Sequence, residues 1–365
     1  MDTSMRRDQQ RLLVINFGGI GDEILFLPTL KTLKEELPQS HLTLLLEPRS
    51  RSVSELTDLI DAVITFDIKK RPLLVSDLLA LLSLLRSGNY QTVISSGSSP
   101  LVSILLFLSG IGRRIGYDSG PLSRRLLTDV VRLNRNQYAA DMYHDLVQGL
   151  GLTSKPVTPA LLVREDSLKA MEKFLKDAEA KASSKEKARL VIHPGTSLLA
   201  LRKGIIKTWP AHYWVTLIER LLAQPDYQVI LAGGPDDAAI IGEITEKVSS
   251  RSPMPSFLSA FGATKSLADL ASLIQLSDLL ICVDSAPMHI AVGLGKPLVA
   301  LFGPTDHGKL LPPDAKFKAL VSAPEADAAR KNGPGVQILP DLVYQAVLTQ
   351  IQKATDLKRS QEVGL

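Results

Sequence analysis

The sequence predicts an α/β protein made of two Rossmann-like halves, each with a parallel sheet covered by helices on both faces. Three observations predict this fold. The chain has 365 residues, which is long for one hydrophobic core and fits about two domains. Short apolar runs with strand character alternate with longer helical segments. Glycines and ionisable residues follow the strand ends, where open α/β sheets bind their ligands.

The first half contains four predicted strands with apolar or amphipathic helices between them. They read RLLVIN from residue 11, HLTLLLE from residue 41, AVITFD from residue 62 and TVISS from residue 92. Two apolar stretches begin at Pro72 (PLLVSDLLALLSLL) and Pro100 (PLVSILLFLSGIG). They are too short or too interrupted to span a bilayer, so we expect buried helices rather than helices at a membrane surface.

A Lys-, Ala- and Glu-rich helix from about Ser167 to Lys187 precedes the second half. Four more strands follow: RLVIHPG from residue 189, YQVILAGG from residue 227, LLICVD from residue 279 and PLVALFG from residue 297. We therefore predict an N-terminal domain over residues 1–165 and a C-terminal domain over residues 166–340. Residues 341–365 are expected to form a last helix that packs back toward the N-terminal domain.

Composition excludes several classes of protein. The net charge of +4 and the pI near 9.0 suit an anionic substrate or surface. Basic and acidic residues alternate and aromatic residues are scarce, which argues against binding of nucleic acid. Cys282 is the single cysteine, which excludes an intramolecular disulfide, indicates a reducing compartment and predicts a small buried side chain. The polar start MDTSMRRDQQR is not a secretory signal, so the expected location is the cytoplasm.

The first strand runs into a glycine turn, VINFGGIGDEILFLP, from Val14 to Pro28. Its glycines are Gly18, Gly19 and Gly21. The dinucleotide fingerprint needs a third glycine where this chain has Ile24. Asp22 and Glu23 would also repel a pyrophosphate at the start of the following helix. The turn is therefore not predicted to bind phosphate, and Glu23 is expected to be a surface charge.

In the second half, the loop HPGTS and the segment KGIIKTWP follow one strand. The hydroxyls of Thr196 and Ser197 can donate to a phosphate, and Lys207 supplies a positive charge. A loop with solvated lysines is the alternative. The next strand ends in LAGGPDD, where Gly233 and Gly234 permit close approach of a ligand.

An acid just beyond a strand suits the two hydroxyls of a ribose, so Asp236 or Asp237 is a candidate, with a charged surface turn as the alternative. The most specific segment is ICVDSAPMHIAVGLGKPLVALFGPTDH, from residue 281 to residue 307. Ser285 is predicted to cap a helix whose exposed N–H groups form a pyrophosphate site. Asp284 would orient a loop or a sugar hydroxyl, while His289 alone is more typical of a structural histidine.

Taken in order, these motifs resemble glycosyltransferase family 9, the ADP-heptose:lipopolysaccharide heptosyltransferases. The matching segments are GGIGDEILFLP, HPG…KTWP, LAGGPDD and VDSAPMHIAVGLGKPLVALFGPT, which together extend from about Leu12 to Thr305. The resemblance implies a GT-B fold with two Rossmann-like domains facing a central cleft. It also implies an inverting mechanism without a metal and a nucleotide diphosphate sugar as donor, with ADP-heptose favoured.

The resemblance also implies roles for individual residues. Asp22 matches the catalytic base that takes the proton of the acceptor hydroxyl, and the glycines beside it leave room for the sugars. Residues of the C-terminal domain would line the donor phosphate and sugar: Asp284, Ser285, Ala286, Met288 and His289. Ala286 stands where the family commonly has glycine, which adds a methyl group beside the diphosphate. No Asp-x-Asp element and no His/Cys cluster with ligand spacing is found, so no metal cofactor is expected.

An arginine-rich segment in the first half predicts the acceptor side. Between Ile111 and Arg135 there are six arginines and two aspartates. Four of the arginines are candidates for contact with an anionic or lipid-linked glycan or with phospholipid heads at the inner membrane surface: Arg113, Arg114, Arg124 and Arg125. A solvated basic face is the alternative.

Two other functions use the same features. A nucleotide-sugar epimerase or hydrolase on this fold would also keep donor phosphate binders and carboxylates. A protein that binds nucleotide sugars without transferring them is the third possibility, which the presence of both Asp22 and Lys207 disfavours. The leading hypothesis is a glycosyltransferase acting on lipopolysaccharide or another surface-glycan precursor.

Overall fold

A computed structural model describes residues 10–70, 72–182, 187–250, 256–322 and 335–363. The chain divides into two compact units, which meet in sequence between Pro159 and Ala160. Each unit contains one six-stranded parallel sheet with helices packed on it. The predicted α/β class with two Rossmann-like domains is confirmed.

The sheet of unit 1 has the strand order β3-β2-β1-β4-β5-β6, and every neighbouring pair is parallel. Its strands are β1 (Arg11–Asn16), β2 (His41–Leu46), β3 (Ala62–Thr65), β4 (Thr92–Ser95), β5 (Arg113–Tyr117) and β6 (Asp129–Val131). Its helices are α1 (Ile20–Glu36), α2 (Val75–Ser87), α3 (Pro100–Leu108), α4 (Pro121–Leu126) and α5 (Ala139–His144), with 3₁₀ turns at Pro48–Leu56 and Asp145–Leu150. Strands β1 and β2 are almost fully buried, because helices cover both faces of the sheet.

The sheet of unit 2 has the order β12-β11-β10-β7-β8-β9, again parallel throughout. Its strands are β7 (Ala188–His193), β8 (Tyr227–Leu231), β9 (Phe257–Ser259), β10 (Leu279–Val283), β11 (Leu298–Phe302) and β12 (Phe317–Val321). Its helices are α6 (Glu165–Ala182), α7 (Leu198–Arg202), α8 (Ala211–Leu222), α9 (Ala238–Ser249), α10 (Leu267–Gln275), α11 (Ala286–Gly293), α12 (His307–Leu310) and α13 (Pro340–Val363), with a 3₁₀ turn at Pro235–Asp237.

The core of unit 2 includes a pair of tryptophans next to the last helix. Trp209 and Trp214 pack edge to face, with ring centroids 4.7 Å apart, and the Trp209 indole donates to the carbonyl of Ile338 at 2.8 Å. Helix α13 packs on α8 and on the central strands of this unit. Packing of residues 341–365 toward the N-terminal domain stays a prediction.

Two details of the sequence prediction were wrong. The pattern did not predict β5, β6, β9 or β12, which lie toward the sheet edges. The apolar stretches at Pro72 and Pro100 do form helices α2 and α3, but these helices are not buried as expected. In α2 only Leu81 and Leu85 are buried.

Cys282 lies on β10 with no exposed surface, as predicted, and burial raises the pKa of its thiol.

The topology indicates one candidate ligand-binding position in each unit. The order of strands reverses between β1 and β4 in unit 1, and between β10 and β7 in unit 2. Open parallel sheets bind ligands at such switch points, beyond the carboxyl ends of the two strands. The glycine turn after β1 lies at the first switch point, and the loops after β7 and β10 lie at the second. No helix in the described ranges is both long and apolar enough to cross a membrane.

Candidate active site

Asp22 lies in the first turn of α1 and is exposed. Its Oδ2 accepts a hydrogen bond from the backbone N–H of Gly19 at 2.8 Å, so the carboxylate caps its own helix. A Cβ at Gly18 would lie 2.2 Å from the Cβ of Asp22, closer than real atoms approach. Gly18 is therefore required by the side chain of Asp22 itself.

A tyrosine that the sequence analysis did not identify holds the other oxygen of Asp22. The hydroxyl of Tyr143, on α5, donates to Oδ1 of Asp22 at 3.2 Å. Burial and the nearby Asp22 charge raise the pKa of Tyr143, so its hydroxyl stays a donor at neutral pH. The Tyr143 ring packs edge to face with Phe26 of α1. Both carboxylate oxygens of Asp22 therefore have defined partners while the group remains open to solvent.

Glu23 is not the surface charge that the sequence predicted. Only 1% of it is exposed, because it points inward from the first turn of α1. Burial, together with the charge of Asp22, raises the pKa of Glu23 well above its usual value. The side chain of Asn16 lies beside it and lowers this pKa in part. Asn16 in turn accepts a 2.6 Å hydrogen bond from the hydroxyl of Ser96, after β4, so a polar cluster underlies the glycine turn at the switch point.

Three of the four predicted acceptor-side arginines are held by other groups of unit 1. Arg113 pairs with Asp129 at 3.2 Å and donates to the carbonyl of Gly149. Arg114 donates to carbonyls of the surrounding loops, including Leu126 at 2.9 Å. Arg124 pairs with Asp118 at 2.8 Å but remains largely exposed. Arg125 is exposed on α4. Arg113 and Arg114 thus stabilise unit 1 through these contacts, whereas Arg124 and Arg125 face solvent.

In unit 2, Lys207 and Asp284 form a close ion pair. Nζ of Lys207 lies 2.6 Å from Oδ2 of Asp284, and only 3% of the aspartate side chain is exposed. The hydroxyl of Thr305, after β11, donates to the same oxygen at 2.7 Å. Asp284 follows β10, so this pair lies at the carboxyl end of a central strand. The sequence predicted Lys207 and Asp284 separately, and the structure brings them together.

Helix α11 begins beside this pair. Ser285 occupies the N-cap position as predicted, but its hydroxyl donates to the carbonyl of Val283 at 3.3 Å and does not cap the helix. Ser285 and Ala286 are partly exposed, whereas Met288 and His289 are buried. The accessible part of the predicted diphosphate site is therefore the helix start, and Met288 and His289 lie behind it.

A second polar cluster joins the loops after β7 and β8. Oδ2 of Asp237 accepts from the N–H of Gly234 at 2.9 Å and lies 3.5 Å from Nε2 of His193. Burial lowers the pKa of His193 and raises that of Asp237, while the charge of each residue opposes the shift of the other. A Cβ at Gly195 would meet Oδ1 of Asp237 at 1.7 Å, so this aspartate is packed against the β7 loop.

Asp236 is the member of the acidic pair that faces solvent. It accepts from the N–H of Leu198 at 3.3 Å, which places it beside the start of α7. Ser197 caps that helix by accepting from the N–H of Ala200 at 3.2 Å, and Thr196 is buried. Among the described residues, no three His, Cys, Asp or Glu side chains converge as a metal site.

Comparison with known proteins shows the family of this chain. The model of glycosyltransferase family 9 (heptosyltransferase) matches residues 78–334, a range that begins after the first glycine turn. Lipopolysaccharide heptosyltransferase 3 of Escherichia coli (strain K12) is 25% identical over 295 residues, which are 79% of this chain and 80% of that protein.

Two solved structures share the fold. A family 9 glycosyl transferase from Veillonella parvula DSM 2008 superposes with a TM-score of 0.73 at 24% identity, covering 94% of this chain and 97% of that one. The E. coli ADP-heptose lps heptosyltransferase II superposes with a TM-score of 0.72 at 21% identity, covering 94% and 99%. Each superposition covers both units, so these structures share the two-sheet architecture of this chain.

Proposed function

Because the chain belongs to glycosyltransferase family 9, the heptosyltransferase family, and is a glycosyltransferase, we propose that it transfers a heptose from ADP-heptose to a lipopolysaccharide precursor. We propose an inverting reaction that needs no metal ion. The relatives named above support the sugar, the nucleotide and the acceptor class. The observation that carries the proposal is the geometry of Asp22, an exposed carboxylate with both oxygens oriented, at the switch point of unit 1.

Asp22 is the proposed base. A sugar hydroxyl is a weak nucleophile, so its proton must pass to a positioned group as the new glycosidic bond forms. The carboxylate of Asp22 is held by Gly19 and Tyr143 and is still open on its exposed side. It takes the proton of the acceptor hydroxyl as the hydroxyl oxygen attacks the anomeric carbon. The bond from that carbon to the donor phosphate breaks as the new bond forms on the opposite face, so the configuration inverts and the nucleoside diphosphate leaves.

The leaving diphosphate is assigned to unit 2. Its developing negative charge requires donors that are already in place. Lys207 supplies the positive charge, the start of α11 at Ser285 and Ala286 supplies backbone N–H groups, and Ser197 supplies a hydroxyl. In the structure Lys207 is neutralised by Asp284, so an incoming diphosphate would share or replace that partner. The ribose hydroxyls are assigned to Asp236, because Asp237 is buried and engaged with His193.

The acceptor and the location complete the proposal. Arg124 and Arg125 are the proposed contacts for an anionic, lipid-linked acceptor, since both are exposed on α4. The enzyme would work in the cytoplasm, with peripheral contact to the inner membrane surface, where such an acceptor is presented.

The substitution Asp22→Asn tests the proposed base. Asparagine keeps an oxygen for the N–H of Gly19, so the helix cap is retained while the base is lost. We expect the rate of heptose transfer from ADP-heptose to a lipopolysaccharide acceptor to fall by about a hundredfold or more. The affinity for ADP should not change. Single-turnover transfer and ADP titration, both without added metal, measure the two effects.

The control is Glu36→Gln, an exposed acid at the other end of α1. It should leave both transfer and ADP affinity unchanged. Transfer by the Asp22→Asn variant within about tenfold of the wild-type rate would show that another group is the base. Release of free heptose without transfer to any acceptor would instead indicate a hydrolase.

A further inference from the structure

Unit 1 has an unusual distribution of exposed apolar side chains. Among its described residues, every large hydrophobic side chain that is exposed lies between residues 74 and 130. On α2 and its N-cap these are Leu74, Val75, Leu78 and Leu79; on α3 they are Leu101, Phe107 and Leu108; Leu122 lies on α4 and Val130 on β6. Val75 and Leu101 are each 73% exposed. Single exposed hydrophobic residues are ordinary, but such a concentration on neighbouring helices marks an interaction surface.

The three helices are neighbours on one side of the sheet. Leu81 and Leu85 of α2 and Leu106 of α3 pack into the same core cluster against β1 and β4. The guanidinium of Arg86, on α2, donates to the carbonyl of Leu108 at 2.7 Å and so joins the end of α2 to the end of α3. Helix α4 packs on α3. The exposed residues therefore form one outward surface, which we call the apolar ridge (residues 74–79, 101–108 and 122).

The charge around the apolar ridge is strongly positive. Residues 70–135 contain nine lysines and arginines and three acids, whereas residues 10–69 contain six basic residues and nine acids. Each of the three acids already has a basic partner: Asp77 with Lys70, Asp118 with Arg124 and Asp129 with Arg113. By sequence, the segment has six more basic residues than acids, so the ridge lies in a positive field.

We propose that the apolar ridge docks on an anionic lipid bilayer, with its leucines and Phe107 entering the headgroup region and the arginines of α4 contacting lipid phosphates. Apolar side chains flanked by basic residues are the pattern that binds such interfaces. A second copy of the chain fits less well, because it would bring the same positive charge against this one. The inference deepens the proposed function, which places the acceptor at a bilayer, but it rests on the ridge residues and is tested by binding alone.

The test is co-sedimentation of the full chain with vesicles. We expect binding to phosphatidylglycerol vesicles, weakening as salt rises, and at least tenfold weaker binding to phosphatidylcholine vesicles. Val75→Ser with Leu101→Ser removes two apolar side chains that pack on little else, so the fold should tolerate it. This double variant and Arg125→Glu should each reduce partitioning by about tenfold.

Leu342→Ser is the matched control, because Leu342 is 59% exposed but lies on α13 in unit 2. It should bind vesicles like the wild type. Absence of vesicle binding, or an equal loss in Leu342→Ser, would overturn the proposal. A concentration-dependent dimer that the Val75 and Leu101 substitutions abolish would identify a second copy as the occupant and would also overturn it. If the chain binds vesicles but transfers no sugar, the result would support membrane docking by the apolar ridge and refute the proposed function.

Discussion

At the residue scale, the turn after β1 shows why its glycines stand next to an acid. Gly18 lacks a Cβ where the side chain of Asp22 folds back, and Gly19 gives its N–H to that carboxylate. The sequence identified Asp22 but not Tyr143, which lies 121 residues further along the chain. A contact over that distance has no local pattern, so only the fold shows it. Glu23 was misassigned because adjacent acids look alike in a sequence, while the helix turns one outward and the other inward.

The first residue-scale prediction concerns Tyr143, which we regard as a positioning residue for Asp22. Tyr143→Phe removes the donor to Oδ1 of Asp22 and keeps the ring contact with Phe26. A hydrogen bond to a charged group contributes about 1.5–3 kcal/mol, so we expect kcat to fall by about tenfold or more with the donor KM unchanged.

Tyr117→Phe is the control for this experiment. The Tyr117 hydroxyl donates to the carbonyl of Met142 at 2.7 Å, next to Tyr143 in sequence, and does not contact Asp22. It should lower thermal stability and leave kcat unchanged. If both variants keep the wild-type kcat, Tyr143 serves only the packing of α5.

The second residue-scale prediction concerns the buried carboxyl of Glu23, whose folded-state pKa is raised above the unfolded value of about 4.5. Below that pH both states hold the proton, so Glu23→Gln should change stability little. As pH rises toward the folded-state pKa, the unfolded state releases its proton first and the wild type loses stability. Glutamine has no such proton. The melting temperature of Glu23→Gln relative to wild type should therefore increase from pH 5 upward, measured by differential scanning calorimetry.

The exposed Glu36, on the same helix, provides the comparison for this pH series. Glu36→Gln should not reproduce the rising difference. A constant offset between Glu23→Gln and wild type at every pH would mean that Glu23 is charged in the folded protein, which would contradict the burial argument.

At the element scale, the central strands could be predicted from sequence, whereas four strands toward the sheet edges could not. The eight predicted strands include β1, β4, β7 and β10, whose apolar runs reflect burial on both faces. The four missed strands contain few apolar residues in a row: β6 and β9 have three residues each, and β5 begins with two arginines. Pairing with a neighbouring strand defines these elements, and that information is not local.

Helices α2 and α3 were predicted correctly as helices, but their burial was not. Their apolar content predicted burial, but a helix that is apolar all round does not indicate which face meets the core. In α2 the buried residues are Leu81 and Leu85, one turn apart, and the leucines on the other side face solvent. The apolar ridge is therefore a feature that the sequence contains but that only the packing reveals.

The two glycine turns share one local structure, which was not predicted from the sequence. Both follow the spacing Gly-Gly-x-x-Asp, at residues 18–22 and residues 233–237. In each, the aspartate accepts from the N–H of the second glycine, at 2.8 Å in unit 1 and 2.9 Å in unit 2. One aspartate ends exposed beside a tyrosine and the other buried beside His193. The same local turn is thus used for the proposed chemistry in unit 1 and for loop structure in unit 2.

At the scale of the whole molecule, the proposal divides the reaction between two units with separate cores. The proposed base belongs to unit 1, and all the proposed donor-binding groups belong to unit 2. The resemblance to glycosyltransferase family 9 implied this division, because it gave Asp22 the role of base and gave the strand-end motifs of the second half the role of donor binders. It did not predict that Lys207 already has an anionic partner, since Asp284 lies far away in the chain.

The division predicts how ADP changes hydrogen exchange. At about one hundred times its Kd, a ligand stabilises the state that binds it by about 2.7 kcal/mol, which slows the openings that its site must undergo. ADP without magnesium should therefore protect the loops at residues 193–198, 232–237 and 284–288, while β1, β4 and α1 of unit 1 exchange as before. Lys207→Ala should abolish the protection. Lys203→Ala, an exposed lysine at the end of α7, should retain it. Protection that requires magnesium would refute metal-independent donor binding, and equal loss in both lysine variants would show that Lys207 does not hold the diphosphate.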